Sequence, residues 1–94
     1  MTLDVQIDAA HNALLVQGHS QDPKVCGAIT ALLGGLGPMS KRLILMEGLS
    51  YLEMEPEDKE DFEAVSFGVI CVAKHEARDC ITFVDNLNAP KQIA

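Results

Sequence analysis

The sequence predicts an α+β fold, a two-layer sandwich in the order strand, strand, helix, strand, strand, helix, strand, with both helices on one face of the sheet. Three observations carry that expectation. Short apolar segments bounded by turn residues are interleaved with two longer segments of helical period. The strands and helices are mixed without the strict alternation of a parallel α/β chain. A chain of 94 residues, 48% of them hydrophobic, can pack one small core without metal or disulfide staples.

The elements follow in order. Leu3-Asp4-Val5-Gln6-Ile7 alternates apolar and polar residues, the pattern of a half-buried strand. A turn at Ala9 to Asn12 leads into a second strand, Ala13 to Gly18, so the chain opens as a hairpin. Asp22-Pro23 is a helix start, with Asp as N-cap and Pro at the first helical position. The helix runs from Pro23 to about Leu33 and stops at Gly34-Gly35-Leu36-Gly37-Pro38. Its residues are apolar or small almost all round, which points to burial on more than one side. In a domain this small, one side would meet the sheet and another a second subunit, giving a homodimer; a cover of loops is the alternative.

Leu43 to Met46 reads as a third strand, Glu47-Gly48 as a turn, and Leu49 to Glu55 as a fourth strand, with Leu49, Tyr51, Leu52 and Met54 offered to the core. The acidic run Glu57 to Asp61 opens the second helix, where negative charge complements the helix dipole. Phe62, Val65, Val69, Val72 and Ala73 recur at helical spacing, and Phe67 and Ile70 widen that stripe. Cys80 to Val84 is a short last strand. The domain is placed at residues 3–85 and a loose C-terminal tail at 86–94.

The net charge of -7 argues against nucleic-acid and anionic-membrane partners, both of which need clustered Lys and Arg. It suits encounter with a basic peptide. Cys26, Cys71 and Cys80 form an odd, low count, and Met1-Thr2-Leu3-Asp4 has neither a basic nor an apolar leader region. Free thiols and a cytoplasmic location are therefore expected.

The segment that can carry chemistry is Gly18-His19-Ser20-Gln21-Asp22-Pro23-Lys24-Val25-Cys26. His19 follows a strand, and Cys26 falls in the first turn of the next helix, near the positive end of the helix dipole. A nearby imidazole can take the thiol proton, and Lys24 adds positive charge. Amides at the helix start could stabilise an oxyanion. The competing reading makes Cys26 a small core residue, spaced for burial with Ile29 and Leu33, and His19 an ordinary loop residue.

Val16-Gln17-Gly18-His19-Ser20, followed by Lys24-Val25-Cys26-Gly27-Ala28-Ile29-Thr30-Ala31-Leu32, resembles the ribosomal-processing cysteine protease family, which carries a Gly-His-Ala (or Ser) element after its second strand and then a Val-Cys-Ala-Ala-Val-Ser-Ala-Leu helix start. Glu47-Gly48-Leu49-Ser50-Tyr51-Leu52 looks like the family's acidic-Gly-Tyr-Leu strand element with two residues inserted. The resemblance covers roughly residues 3 to 85. It implies a dimeric endopeptidase that removes an N-terminal extension from a large-subunit ribosomal protein, or that processes a phage virion protein. It implies His19 and Cys26 as catalytic residues, with Thr30 in place of a serine four residues after the cysteine. The family's acidic residue three before the cysteine is Pro23 here, and Asp22 could substitute for it. Only six residues separate His19 from Cys26, fewer than the family's longer glycine-containing loop. An inactive, dimeric protein-binding module of the same fold is the alternative function.

Other constellations are weaker. Cys71 and His75 lie four apart on the second helix and Cys80 follows, but three candidate ligands lack a fourth, so no metal or other cofactor is expected. Glu47, Glu53 and Glu55 could pair for acid–base work but read better as solvated strand positions. Gly34-Gly35-Leu36-Gly37 follows a helix and opens none, so it stops a helix instead of cradling a phosphate.

Overall fold

A computed structural model describes residues 2–90. Its strands are β1 (Leu3–Asp8), β2 (Ala13–Gly18), β3 (Arg42–Met46), β4 (Leu49–Glu53) and β5 (Ile81–Phe83), and its helices are α1 (Pro23–Gly35) and α2 (Lys59–Ala73). The element order is the one the sequence predicts. The strands form one sheet in the spatial order β3-β4-β2-β1-β5, antiparallel except for the β1–β5 pair. The sheet thus places β2 at its centre, and whatever leaves β2 leaves from the middle of the sheet.

The register follows the hydrophobic alternation. Val5 pairs with Val16, Ile7 with Leu14, and Leu14 with Leu52, so these side chains point to one face. There they pack with Val25, Ile29 and Leu33 of α1 and with Phe62, Val65, Val69 and Ala73 of α2. Both helices therefore cover the same face, giving the two-layer α+β sandwich. The opposite face holds a smaller cluster of Ala13, Leu15, Ile44 and Tyr51.

Several boundaries differ from the sequence reading. The chain turns through a 3-10 segment, Pro56–Asp58, before α2 begins. Cys80 lies in the 3-10 turn Arg78–Cys80, one residue ahead of β5. Phe67, expected in the apolar stripe of α2, is 69% exposed. Phe62, Val65, Ser66, Val69 and Ala73 already fill the buried side of that helix, and Phe67 falls outside their arc. Tyr51 is buried, but on the sheet face away from the helices, where its hydroxyl donates to Glu53 Oε1 at 2.8 Å. Burial, reinforced by that carboxylate, pushes the Tyr51 phenol well above its ordinary range.

The segment expected to be a loose tail is held at its start. The Leu87 amide donates to Asp8 Oδ2 at 3.0 Å, and Leu87 and Ala89 pack on the Ala13–Tyr51 cluster. A buried carboxylate and an uncovered apolar patch both need partners, and these residues supply them. The rest of the expected tail, residues 91–94, lies outside the described residues. Among the described residues, no helix is long and apolar enough to cross a membrane.

Candidate active site

The site begins where β2 ends. Gly18 has φ +88, and a Cβ there would sit 2.1 Å from the Thr2 carbonyl oxygen. Only glycine lets the chain leave β2 this close to the start of β1. The Gly18 amide donates to the Gly48 carbonyl at 2.9 Å, tying this exit to the turn between β3 and β4. Gly48 also has positive φ, and a Cβ on it would meet His19 Nε2 at 3.1 Å. The imidazole therefore lies directly against the bare backbone of that turn.

Cys26 is placed by the start of α1. The Asp22 carboxylate accepts from the Lys24 amide at 2.9 Å, and the Asp22 carbonyl accepts from the Val25 amide at 3.0 Å. With Pro23 at the first helical position, this cap fixes the helix start and sets Cys26 one turn inside it. Cys26 is half-buried, and its Sγ accepts a hydrogen bond of 3.2 Å from the Ser20 amide. The Ser20 hydroxyl donates to the Glu76 carboxylate and accepts from the Asp22 amide at 3.0 Å. The Gln21 amide points at the other Glu76 oxygen at 3.4 Å.

His19 and Cys26 line one cleft of about 290 Å³, between α1 and the β3–β4 turn. Leu3 and Ile29 form apolar wall, and Glu47 and Ser50 add polar atoms. Thr30 lines the same cleft, one helical turn on from Cys26. Asp22 is exposed and does not line it; its carboxylate is occupied in capping. The helix-start amides expected to face an oxyanion are partly committed, since those of Lys24 and Val25 bond Asp22. The amide aimed at the sulfur comes from the loop, at Ser20.

The cleft holds what acyl transfer to sulfur needs: a thiol, an imidazole lining the same cleft, an amide donor at the sulfur, and apolar wall residues. The other cysteines stand apart. Cys71 is exposed on α2. Cys80 is buried, which pushes its thiol up, and it donates to the Ala77 carbonyl at 3.0 Å. Among the described residues, no group of three His, Cys, Asp or Glu could hold a metal ion. The sequence reading missed Glu76 and the seat that Gly48 provides for His19. Glu76 lies more than fifty positions from Ser20, and no local pattern announces so distant a contact.

No family model matches the chain, and no curated protein sequence matches it. Among solved structures, the fold is similar to that of the essential ribosomal processing protease Prp from S. aureus, solved in complex with a covalently linked product peptide. The TM-score is 0.56 at 11% identity, over 90% of this chain and 98% of that one. The chain thus shares its two-layer α+β fold with that protein.

Proposed function

We propose that the protein is a cysteine endopeptidase that cuts one protein substrate in the His19–Cys26 cleft. The observation that carries this is that His19 and Cys26, brought from the end of a strand and the start of a helix, line one cleft with an amide donating to the sulfur. His19 takes the Cys26 proton, and the sulfur attacks the scissile carbonyl carbon, forming a C–S bond. The protonated imidazole then gives its proton to the leaving amine as the C–N bond breaks. Water, deprotonated by His19, attacks the thioester; the C–S bond breaks, and the proton returns to sulfur. No cofactor takes part. Thr30, which lines the cleft, is read as a substrate contact, and Asp22, which caps the helix start, as a supporting residue.

The substrate is read as an N-terminal extension of a large-subunit ribosomal protein, or a phage virion protein. The sequence resemblance supports this, and so does a fold shared with a ribosomal processing protease crystallised with a peptide product. The net charge of -7 suits a basic substrate of that kind. The site of action is read as the cytoplasm and the working form as a homodimer, with exposed Ala31 and Phe67 available on α1 and α2. A second reading, a dimeric module that binds such a protein without cutting it, is favoured by the short His19–Cys26 segment and by Pro23.

Incubation with the extended ribosomal precursor tests the proposal. The parent should release a shortened product, and Cys26→Ala and His19→Ala should each lower the rate by about a thousandfold or more while melting like the parent. Retained cleavage in either variant overturns the residue assignment. A precursor bound but left intact by the parent establishes the binding module.

A further inference from the structure

We propose that Glu76, just beyond α2, is a positioning residue for the nucleophile; the inference rests on the reading of Cys26 as that nucleophile. The Ser20 amide reaches Cys26 Sγ across a segment that leaves the sheet at a glycine of positive φ. Nothing in the sheet ladder fixes that peptide plane. Glu76 instead anchors the residue that carries this amide, Ser20, through its hydroxyl and through the peptide that follows it. One carboxylate oxygen accepts from the Ser20 hydroxyl and the other faces the Gln21 amide. The two groups bracket the Ser20–Gln21 peptide, and the Asp22 amide donates back to the same hydroxyl at 3.0 Å. Glu76 is itself held by its amide, which donates to the Ala73 carbonyl at 2.9 Å at the end of α2.

Two further facts favour positioning over an incidental surface role. Among the described residues, Glu76 forms no ion pair, so its carboxylate is spent on the loop. It also borders a hollow of about 430 Å³ that Thr2, Asp4, Gln21 and Cys80 help to line. Shortening it therefore opens onto existing space instead of leaving a sealed cavity, and the fold should tolerate the change. Glu76, just past the end of α2, thereby holds in place the residue whose amide meets the sulfur.

The test is the rate of Cys26 alkylation by iodoacetamide, resolved by peptide mass spectrometry with Cys71 in the same molecule as reference. The variants are Glu76→Ala, Glu76→Gln, Ser20→Ala and the Ser20→Ala/Glu76→Ala pair. Glu76→Ala should slow Cys26 by about tenfold, the scale of one hydrogen bond involving a charged group. Glu76→Gln keeps one acceptor for the Ser20 hydroxyl and should recover most of that loss. In the Ser20→Ala background, Glu76→Ala should change little further, because both act through one contact. Cys71 and the melting temperature should stay constant throughout. If the parent's Cys26 reacts no faster than Cys71, the nucleophile reading falls and this inference with it. If the parent's Cys26 is fast and Glu76→Ala leaves it so, or if the two substitutions act independently, the inference alone is overturned.

Discussion

The two ends of β2 each carry a histidine, and the structure treats them in opposite ways. Before β2, His11 Nδ1 lies 2.8 Å from Asp8 Oδ2, and the His11 amide also bonds that carboxylate at 3.2 Å. The Leu87 amide adds a third donor, and Asp8 is 1% exposed. Burial opposes its charge, but the Leu87 and His11 hydrogen bonds outweigh that and hold the carboxyl below its ordinary value. After β2, His19 makes no hydrogen bond among the described residues and stands on the wall of an open cleft that Cys26 also lines. One histidine closes a structural network, while the other has its ring nitrogens free for chemistry. Residue type does not separate the two; the supply of local partners does.

Substitutions at four positions would break or sharpen that contrast. The largest effect should come from Gly18→Ala, which sets a Cβ 2.1 Å from the Thr2 carbonyl oxygen at positive φ. It should cost roughly 3 kcal/mol or more in denaturant unfolding, from backbone strain together with steric overlap. Next is Asp8→Ala, which strands the Leu87 and His11 amides and should cost about 2 kcal/mol.

The same carboxylate carries a pH signature. Its folded value lies below the unfolded one, so its stabilisation is present above the unfolded value of about 3.9 and is lost as pH falls through the folded value. The stability difference between the parent and Asp8→Asn should therefore be flat near neutrality and shrink below about pH 4. A difference that grows in acid contradicts the assigned network.

Gly48→Ala should cost about 1 kcal/mol for its positive φ, yet displace the His19 ring, whose Nε2 would lie 3.1 Å from the new Cβ. Its informative effect is on Cys26, whose alkylation should fall toward the His19→Ala level while the Asp8 end of β2 is untouched. The smallest effect is expected for Cys71→Ser. That side chain is exposed on α2, so stability should move by less than about 0.5 kcal/mol and Cys26 reactivity not at all.

The contrast also marks what could be read from the sequence. Alternation in Leu3 to Ile7 and the Asp22-Pro23 start are local signals, and the elements they announce are present, but α1 continues through Gly34 and Gly35, two residues past the expected stop after Leu33. The pairing of β1 with β5, which brings the first and last strands together, has no local signal. Tyr51 was correctly expected to be buried, but its side of the sheet depends on a register that only the assembled strands define. Phe67 misled because its spacing fits a wide stripe, while α2 buries a narrower one. At the site, the His19 and Cys26 positions were visible because they flank one loop. Glu76 and the Gly48 seat were not, since each reaches the loop from a distant part of the chain.

The central claim is that Cys26 and His19 act on one another. The most direct measurement is the alkylation rate of Cys26 relative to Cys71, within one molecule at neutral pH, in the parent and in His19→Ala. Cys71 is exposed and Cys26 only half-exposed, so access alone would make Cys71 the faster. The account predicts Cys26 to be faster by about tenfold or more, as for a thiol beside an activating base, and to lose that lead when His19 is removed. A Cys26 that reacts more slowly than Cys71, or one indifferent to His19, would contradict it.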